Sequence, residues 1–251
     1  MKTLLSGIFL LLACPIFSQS YEAGVWAGGI NSFNDINTNS SVFDVRPSGG
    51  IVAKYNFDSR IGAGINVSYG RAFTTDEKRA ETNFQQLRNE AARTTTFSAS
   101  AKGEFNFFDF NATDAFLDPQ IYTPYLTAGI GYTNIKPELF LRSQGWTDVS
   151  SLQTEDEKDF SASQINIPLG GGVKYQLSDD FVLSGEWVTN VLFTDYYEDI
   201  STVYNTLSLD ENIGLIDQVN RQRGDRFKND SYNLFGLQLT YVIPIYRCPG
   251  E

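Results

Sequence analysis

No histidine occurs among the 251 residues of this chain. That absence removes Ser-His-Asp and Cys-His hydrolysis, histidine-ligated zinc and imidazole general-base catalysis. The remaining candidates for chemistry are carboxylates, lysines and two cysteines. Lys54, Lys102, Glu104, Lys174 and Glu186 stand as isolated charges in segments that alternate between apolar and polar residues. Three lysines against two glutamates can largely pair, and buried charges persist only when paired. A second group, Glu138, Asp148, Glu155, Asp156, Glu157 and Asp159, crowds one stretch that holds only Arg142 and Lys158 as cations. Such carboxylates could hold Ca²⁺, but the Asp-x-Asp-x-Asp-Gly order of a dedicated loop is missing, so we read a solvated acidic surface. Asp195, Glu198 and Asp199 lie beside Tyr196 and Tyr197. With no pocket to hold a substrate, they read as a structural rim and not as an acid–base pair. No motif calls for a cofactor or a metal. Lys and Arg number 19 against 30 Asp and Glu, a net charge of −11 that offers no footprint for nucleic acid.

The elements that must position these residues begin after an export signal. Met1-Lys2-Thr3 gives a short positive start, Leu4 to Pro15 is apolar, and Phe17 to Ser20 is small or polar. About a dozen apolar residues is short of the roughly 20 a spanning helix needs, so residues 1–20 are expected to be a cleaved signal peptide. Cys14 lies within that apolar stretch. Pro15 sits awkwardly after it for a lipidation site, so Cys14 is read as an ordinary signal residue. Cleavage leaves Cys248 as the one cysteine, so no intramolecular disulfide can form.

Beyond Ser20 no apolar run approaches 18 residues; period-2 alternation recurs instead. Ile61, Ala63, Ile65, Val67 and Tyr69 share one face, opposite Gly62, Gly64, Asn66, Ser68 and Gly70. Phe97, Ala99, Ala101, Phe105 and Phe107 oppose Ser98, Ser100, Lys102, Glu104 and Asn106. Eight such segments are expected, near 21–33, 47–57, 61–73, 95–109, 122–136, 163–177, 181–196 and 232–247. Their links alternate between short (three residues at 58–60 and at 178–180, a dozen around 114–119) and long (34–46, 74–94, 137–162 and 197–231). This is the pattern of an eight-stranded antiparallel up-and-down transmembrane β-barrel of outer-membrane type, with short periplasmic turns and long external loops. Aromatic residues gather at both strand ends, as two interfacial girdles would require. The inner one would hold Tyr55, Phe57, Phe105, Phe107, Phe108, Phe110, Tyr122, Tyr175, Phe181 and Tyr246. The outer would hold Phe33, Tyr69, Phe73, Phe97, Tyr132, Phe193, Tyr196 and Tyr232. The polar faces then point into a lumen that eight strands leave only wide enough for side chains, so the five charges are expected to plug it. Residues 76–93, rich in Glu, Gln, Arg and Ala, suggest a short surface helix. Pro168 and Pro244 fall inside strands, where bulges near the strand ends would have to accommodate them.

Several segments carry a resemblance. They are Glu104-Phe105-Asn106-Phe107-Phe108-Asp109-Phe110, Thr123-Pro124-Tyr125-Leu126-Thr127-Ala128-Gly129-Ile130-Gly131-Tyr132, Ile167-Pro168-Leu169-Gly170-Gly171-Gly172-Val173-Lys174-Tyr175, Phe193-Thr194-Asp195-Tyr196-Tyr197-Glu198-Asp199-Ile200-Ser201 and Tyr246-Arg247-Cys248-Pro249. Together they resemble the outer-membrane barrel family of Bacteroidetes that includes the PorG/SprG component of the type IX secretion system. The resemblance implies a non-enzymatic barrel over residues 21–247, monomeric within a larger assembly. It would contact outer-membrane lipid and, from the periplasm, the ring of lipoprotein and partner subunits that organises secretion. Docking would fall on the periplasmic connection, at Asn111, Asp114, Phe116 and Asp118, and on a short tail, 248–251, through Cys248. The alternative is a small porin-like or surface-binding barrel unrelated to secretion.

Overall fold

The computed structural model describes residues 20–33, 45–75, 91–110, 121–141, 145–148, 162–193 and 230–244. Among these described residues nine antiparallel strands form in chain order: β1 (Ser20–Phe33), β2 (Arg46–Asn56), β3 (Ile61–Thr75), β4 (Ala91–Asn106), β5 (Tyr122–Leu141), β6 (Gly145–Asp148), β7 (Ser163–Ser178), β8 (Phe181–Leu192) and β9 (Ser231–Pro244). Each barrel strand pairs with its sequence neighbours, and β1 pairs with β9 from Ser20↔Pro244 to Phe33↔Ser231, which closes the ring. Eight of the strands make the barrel. The ninth, β6, folds back on the far end of β5 (Glu138↔Asp148 to Leu141↔Gly145) and extends one hairpin beyond the ring.

Closure gives each of the eight ring strands a partner on both sides, the condition for crossing a bilayer with strands. The side chains are sorted inside out relative to a water-soluble barrel. Ile51, Ile65 and Ile130 face outward and are 60–61% exposed, whereas Lys174 is 1% exposed. Tyr21, Val25, Leu126, Leu169, Leu177, Leu237 and Ile243 continue the outward apolar surface. Inward positions carry Ser, Thr, Asn, Gln, Glu and Lys, most of them buried. Water would penalise such an exterior by about 25 cal/mol for every Å² of apolar area, and lipid removes that penalty.

Several expectations need correction. The fourth strand starts at Ala91, not 95, so residues 91–93 are strand and not helix; it ends at Asn106. The fifth runs on to Leu141, the eighth strand of the ring ends at Pro244, and β8 stops at Leu192. Pro168 needs no bulge: the β5–β7 ladder simply lapses beside it, between Ala128↔Leu169 and Gly131↔Asn166, and resumes in the same register. Pro244 is the last residue of β9, where a missing N–H costs little. Two aromatic residues expected in the girdles turn inward. Tyr232 is fully buried in the lumen, and Phe110 packs under the barrel against Val182 and Val242. The inner girdle is otherwise formed by Phe57, Phe105, Phe107, Phe108, Tyr122, Tyr175 and Phe181, joined by Tyr21 and Tyr241, with Tyr55 half-buried between the Tyr21 and Phe57 rings. The outer one holds Tyr69, Phe97, Tyr132 and Phe193. Tyr246 and Tyr196 lie outside the described residues, as does the side chain of Phe33.

Candidate functional site

Period-2 phase places Lys54 on β2, Lys102 and Glu104 on β4, Lys174 on β7 and Glu186 on β8 toward the same axis, and the structure brings all five together. Glu104 sits between two lysines: Lys54 Nζ lies 2.8 Å from its Oε1, and Lys174 Nζ donates to Oε2 at 2.6 Å. Lys102 Nζ donates to Glu186 Oε1 at 2.6 Å, and the Tyr125 hydroxyl donates to Glu186 Oε2 at 2.9 Å. The Tyr125 ring also lies 4.9 Å from Lys174 Nζ and 5.6 Å from Lys54 Nζ, close enough for cation–π attraction. Sequence reasoning missed Tyr125 and a third carboxylate, Glu22. Glu22 is buried at the start of β1 and accepts from Asn56 Nδ2 and Thr240 Oγ1, both at 2.8 Å. It matches the formal charges, three lysines against three glutamates. The signal was present in the sequence, since Glu22, Gly24 and Trp26 share one phase of the first strand.

Apolar plugs bracket the charges. Ile30, Ala72, Ile135, Leu192 and Tyr232 form a buried cluster at the end where the long connections lie. The Tyr232 hydroxyl shares a hydrogen bond with Thr133 Oγ1 at 2.9 Å, which donates to Ser98 at 3.2 Å. At the other end Phe110, Val182 and Val242 close the floor. Between the outer plug and the Lys102–Glu186 pair lies a cavity of about 20 Å³, bordered by Trp26, Ser68, Ser98, Asn190 and Gln238. Space of that size takes on the order of one water. Trp26 Nε1, Asn190 Nδ2 and Gln238 Oε1, buried and without protein partners, supply two donors and one acceptor for it.

At the short-turn end, Arg60 reaches from the β2–β3 turn to Asp109 after β4, with Nε and Nη2 contacts of 2.6 and 3.1 Å; Ser59 adds 3.0 Å. The hydrogen bond from Arg60, then that from Ser59, holds the Asp109 carboxyl below its ordinary value. The acidic stretch is divided: Glu138 is engaged by Arg93 at 2.6 and 3.0 Å, Asp148 is exposed on β6, and Glu155, Asp156, Glu157 and Asp159 lie outside the described residues. Asp195, Glu198, Asp199, residues 1–19, Asn111, Asp114, Phe116, Asp118 and Cys248 also lie outside them.

A family model described as a domain of unknown function, DUF6089, matches residues 2–248. The chain belongs to the DUF6089 family. No curated protein matches this DUF6089 chain in sequence. Among solved structures it is similar to OprG of Pseudomonas aeruginosa, at 7% identity and a TM-score of 0.46, covering 90% of this chain and 96% of the other. Ail of Yersinia pestis gives 11% identity and 0.44 over 90% and 97%. A major outer membrane protein of Thermus thermophilus gives 12% and 0.42 over 90% and 100%.

Proposed function

We propose that this protein is a non-enzymatic outer-membrane component of the type IX secretion system, anchoring or docking the periplasmic ring complex to the membrane. The observation that carries this reading is the filled lumen. Six matched charges lie between two apolar plugs, leaving space on the order of one water. A barrel filled in this way has its surfaces left to act with. The lipid-facing exterior holds the chain in the membrane, and the docking positions expected from the sequence, Asn111, Asp114, Phe116, Asp118 and Cys248, are the ones to which this reading assigns the contact. The segments that resemble the secretion-family barrels, which lie between Glu104 and Pro249, supply the choice of partner. The lack of histidine removes imidazole catalysis, which supports docking as the activity.

Affinity isolation of the tagged protein from detergent-solubilised outer membranes tests the proposal. Periplasmic lipoprotein and ring subunits are expected to co-purify, and export of secreted proteins is expected to fail when the gene is deleted. Intact secretion in the deletion strain would sink the reading.

A further inference from the structure

Charge on the outer wall of this barrel is confined to one side. Among the described residues, the outward positions of β1, β7, β8 and β9 carry no Lys, Arg, Asp or Glu. The opposite wall carries Arg71 on β3, Arg93 on β4 and Lys136 on β5, with Arg46 beside them at the start of β2. Their register makes a row: Arg71 pairs with Thr95, and Thr95 with Lys136, on consecutive strands. Arg71 and Lys136 are exposed, and Arg71 Nε donates to Thr95 Oγ1 at 3.0 Å. Neither cation makes an ion pair with a described carboxylate; Glu138, with Asp148 opposite it on β6 and Arg71 within electrostatic reach, is bound through both oxygens by Arg93 Nε and Nη2. Arg93 and Arg46 are stacked in turn, 4.5 Å over Trp146 and 4.7 Å over Phe73.

The height of this row identifies what it faces. Ile61 and its partner Phe105 mark the inner edge of the lipid-facing surface, and Arg71 is ten residues farther along β3. Ten residues at about 3.3 Å each, tilted about 40°, rise roughly 25 Å, the height of the apolar band of such barrels. Exposed Tyr69, Phe97 and Tyr132 lie just below the cations, at the level of the outer girdle. The wall therefore offers aromatic rings to acyl chains and, directly above, cations and a hydroxyl to whatever anion caps those chains.

We propose that the β3–β5 wall is a binding site for the phosphorylated headgroup of an outer-leaflet glycolipid, with a phosphate held by Arg71, Thr95 and Lys136. Arg71 supplies donors in a fork that fits phosphate, Lys136 a point charge from the other side, and Thr95 the hydroxyl between them. Arg93 serves as a positioning residue: it keeps Glu138 from quenching the site and orders Trp146 on β6. The site rests on the outer-membrane placement of the barrel, but its chemistry can be read in micelles without that placement, which cell fractionation tests separately.

The full-length barrel in detergent micelles would be titrated with lipid A bearing its phosphates, with dephosphorylated lipid A and with inorganic phosphate. Arg71→Gln with Lys136→Gln is expected to weaken binding of phosphorylated lipid A about thirtyfold, from about fivefold per cation removed near an anionic surface. Arg71→Lys keeps the charge but loses the fork, so it should weaken binding by less than the roughly fivefold expected for removing the cation, and Arg60→Gln on the opposite rim should change nothing. Heat-modifiable electrophoretic mobility checks that each variant is folded, and Lys136→Gln alone, with about a fivefold loss expected, serves if the double variant is not. Equal binding of the dephosphorylated lipid, the same loss in Arg60→Gln, or displacement of the lipid by excess inorganic phosphate would each overturn the assignment.

Discussion

Glu104→Gln removes one charge from a site whose other members cannot follow it out. Glu104 is the shared partner of Lys54 and Lys174, and all three side chains are at most 3% exposed. The substitution leaves three buried lysines facing two carboxylates, Glu22 and Glu186, each already engaged by other groups. Lys54 and Lys174 face different oxygens of Glu104, so a glutamine in the same place would turn its NH₂ group toward one of the two ammonium groups. Breaking a buried pair by removing one partner costs about 3–5 kcal/mol, and here two pairs share the lost partner, so the upper half of that range is expected. Removing both members of a pair, Lys102→Met with Glu186→Gln, leaves an acceptor for Tyr125 and is expected to cost less than about 1 kcal/mol. Urea unfolding of the barrel from phospholipid vesicles, followed by tryptophan emission and by heat-modifiable mobility, measures both. If Glu104→Gln unfolds within about 1 kcal/mol of the wild type, or no more easily than the double variant, the reasoning about a charge-matched plug is wrong.

Further outcomes follow from the same geometry. Ile65→Arg places a charge on the outward face of β3 midway across the apolar band, and should cost about 2–4 kcal/mol in vesicles; a neutral result in the same urea series would argue that this face does not meet lipid. A Cβ on Gly129 would run into the backbone oxygen of Ala101 on β4, whereas one on Gly103 would find Ala128 O no nearer than 3.8 Å. Gly129→Ala should therefore lower the unfolding midpoint while Gly103→Ala leaves it unchanged, and equal shifts would contradict that contact. A carboxyl-resolved NMR titration should place Asp109 below the ordinary aspartate pKa, and Arg60→Gln should raise it back, since the guanidinium hydrogen bond is the first cause of its depression. Because that shift is downward, the clasp between the two turns is fully formed at neutral pH and is lost as pH falls through the folded-state pKa.

The ring itself is legible because period 2 is a strong signal when one face must be apolar over ten or more residues. Ile61 to Tyr69 carries it without interruption, and β3 forms where that pattern lies. β6 has no such signal. Gly145-Trp146-Thr147-Asp148 is four residues long, and what holds it is pairing with the end of β5 together with the packing of Trp146 on Phe140 and Phe73. Tyr232 stands at a strand end, as a girdle residue would, yet its phase matches Leu234, Gly236 and Gln238, so counting by twos turns it inward. Phe110 lies beyond β4, where alternation no longer fixes a direction; its backbone N–H donates to Ser59 O at 3.0 Å, and that contact with the neighbouring turn carries it under the barrel. Glu22 escapes notice because it stands two residues past the expected cleavage point, among small residues that give little contrast between faces. The row of Arg71, Thr95 and Lys136 is invisible for another reason: it exists only once the register of three strands is known.

The central claim is that the lumen is sealed, so that the protein works through its surfaces. Conductance of the purified full-length barrel in a planar lipid bilayer tests it most directly. The account predicts a silent membrane for the wild type, with openings emerging only when the Lys102–Glu186 pair and the Tyr232 plug are removed together. Stable unitary conductance steps from the wild-type barrel, abolished or altered by substitution of Lys102 or Glu186, would contradict it.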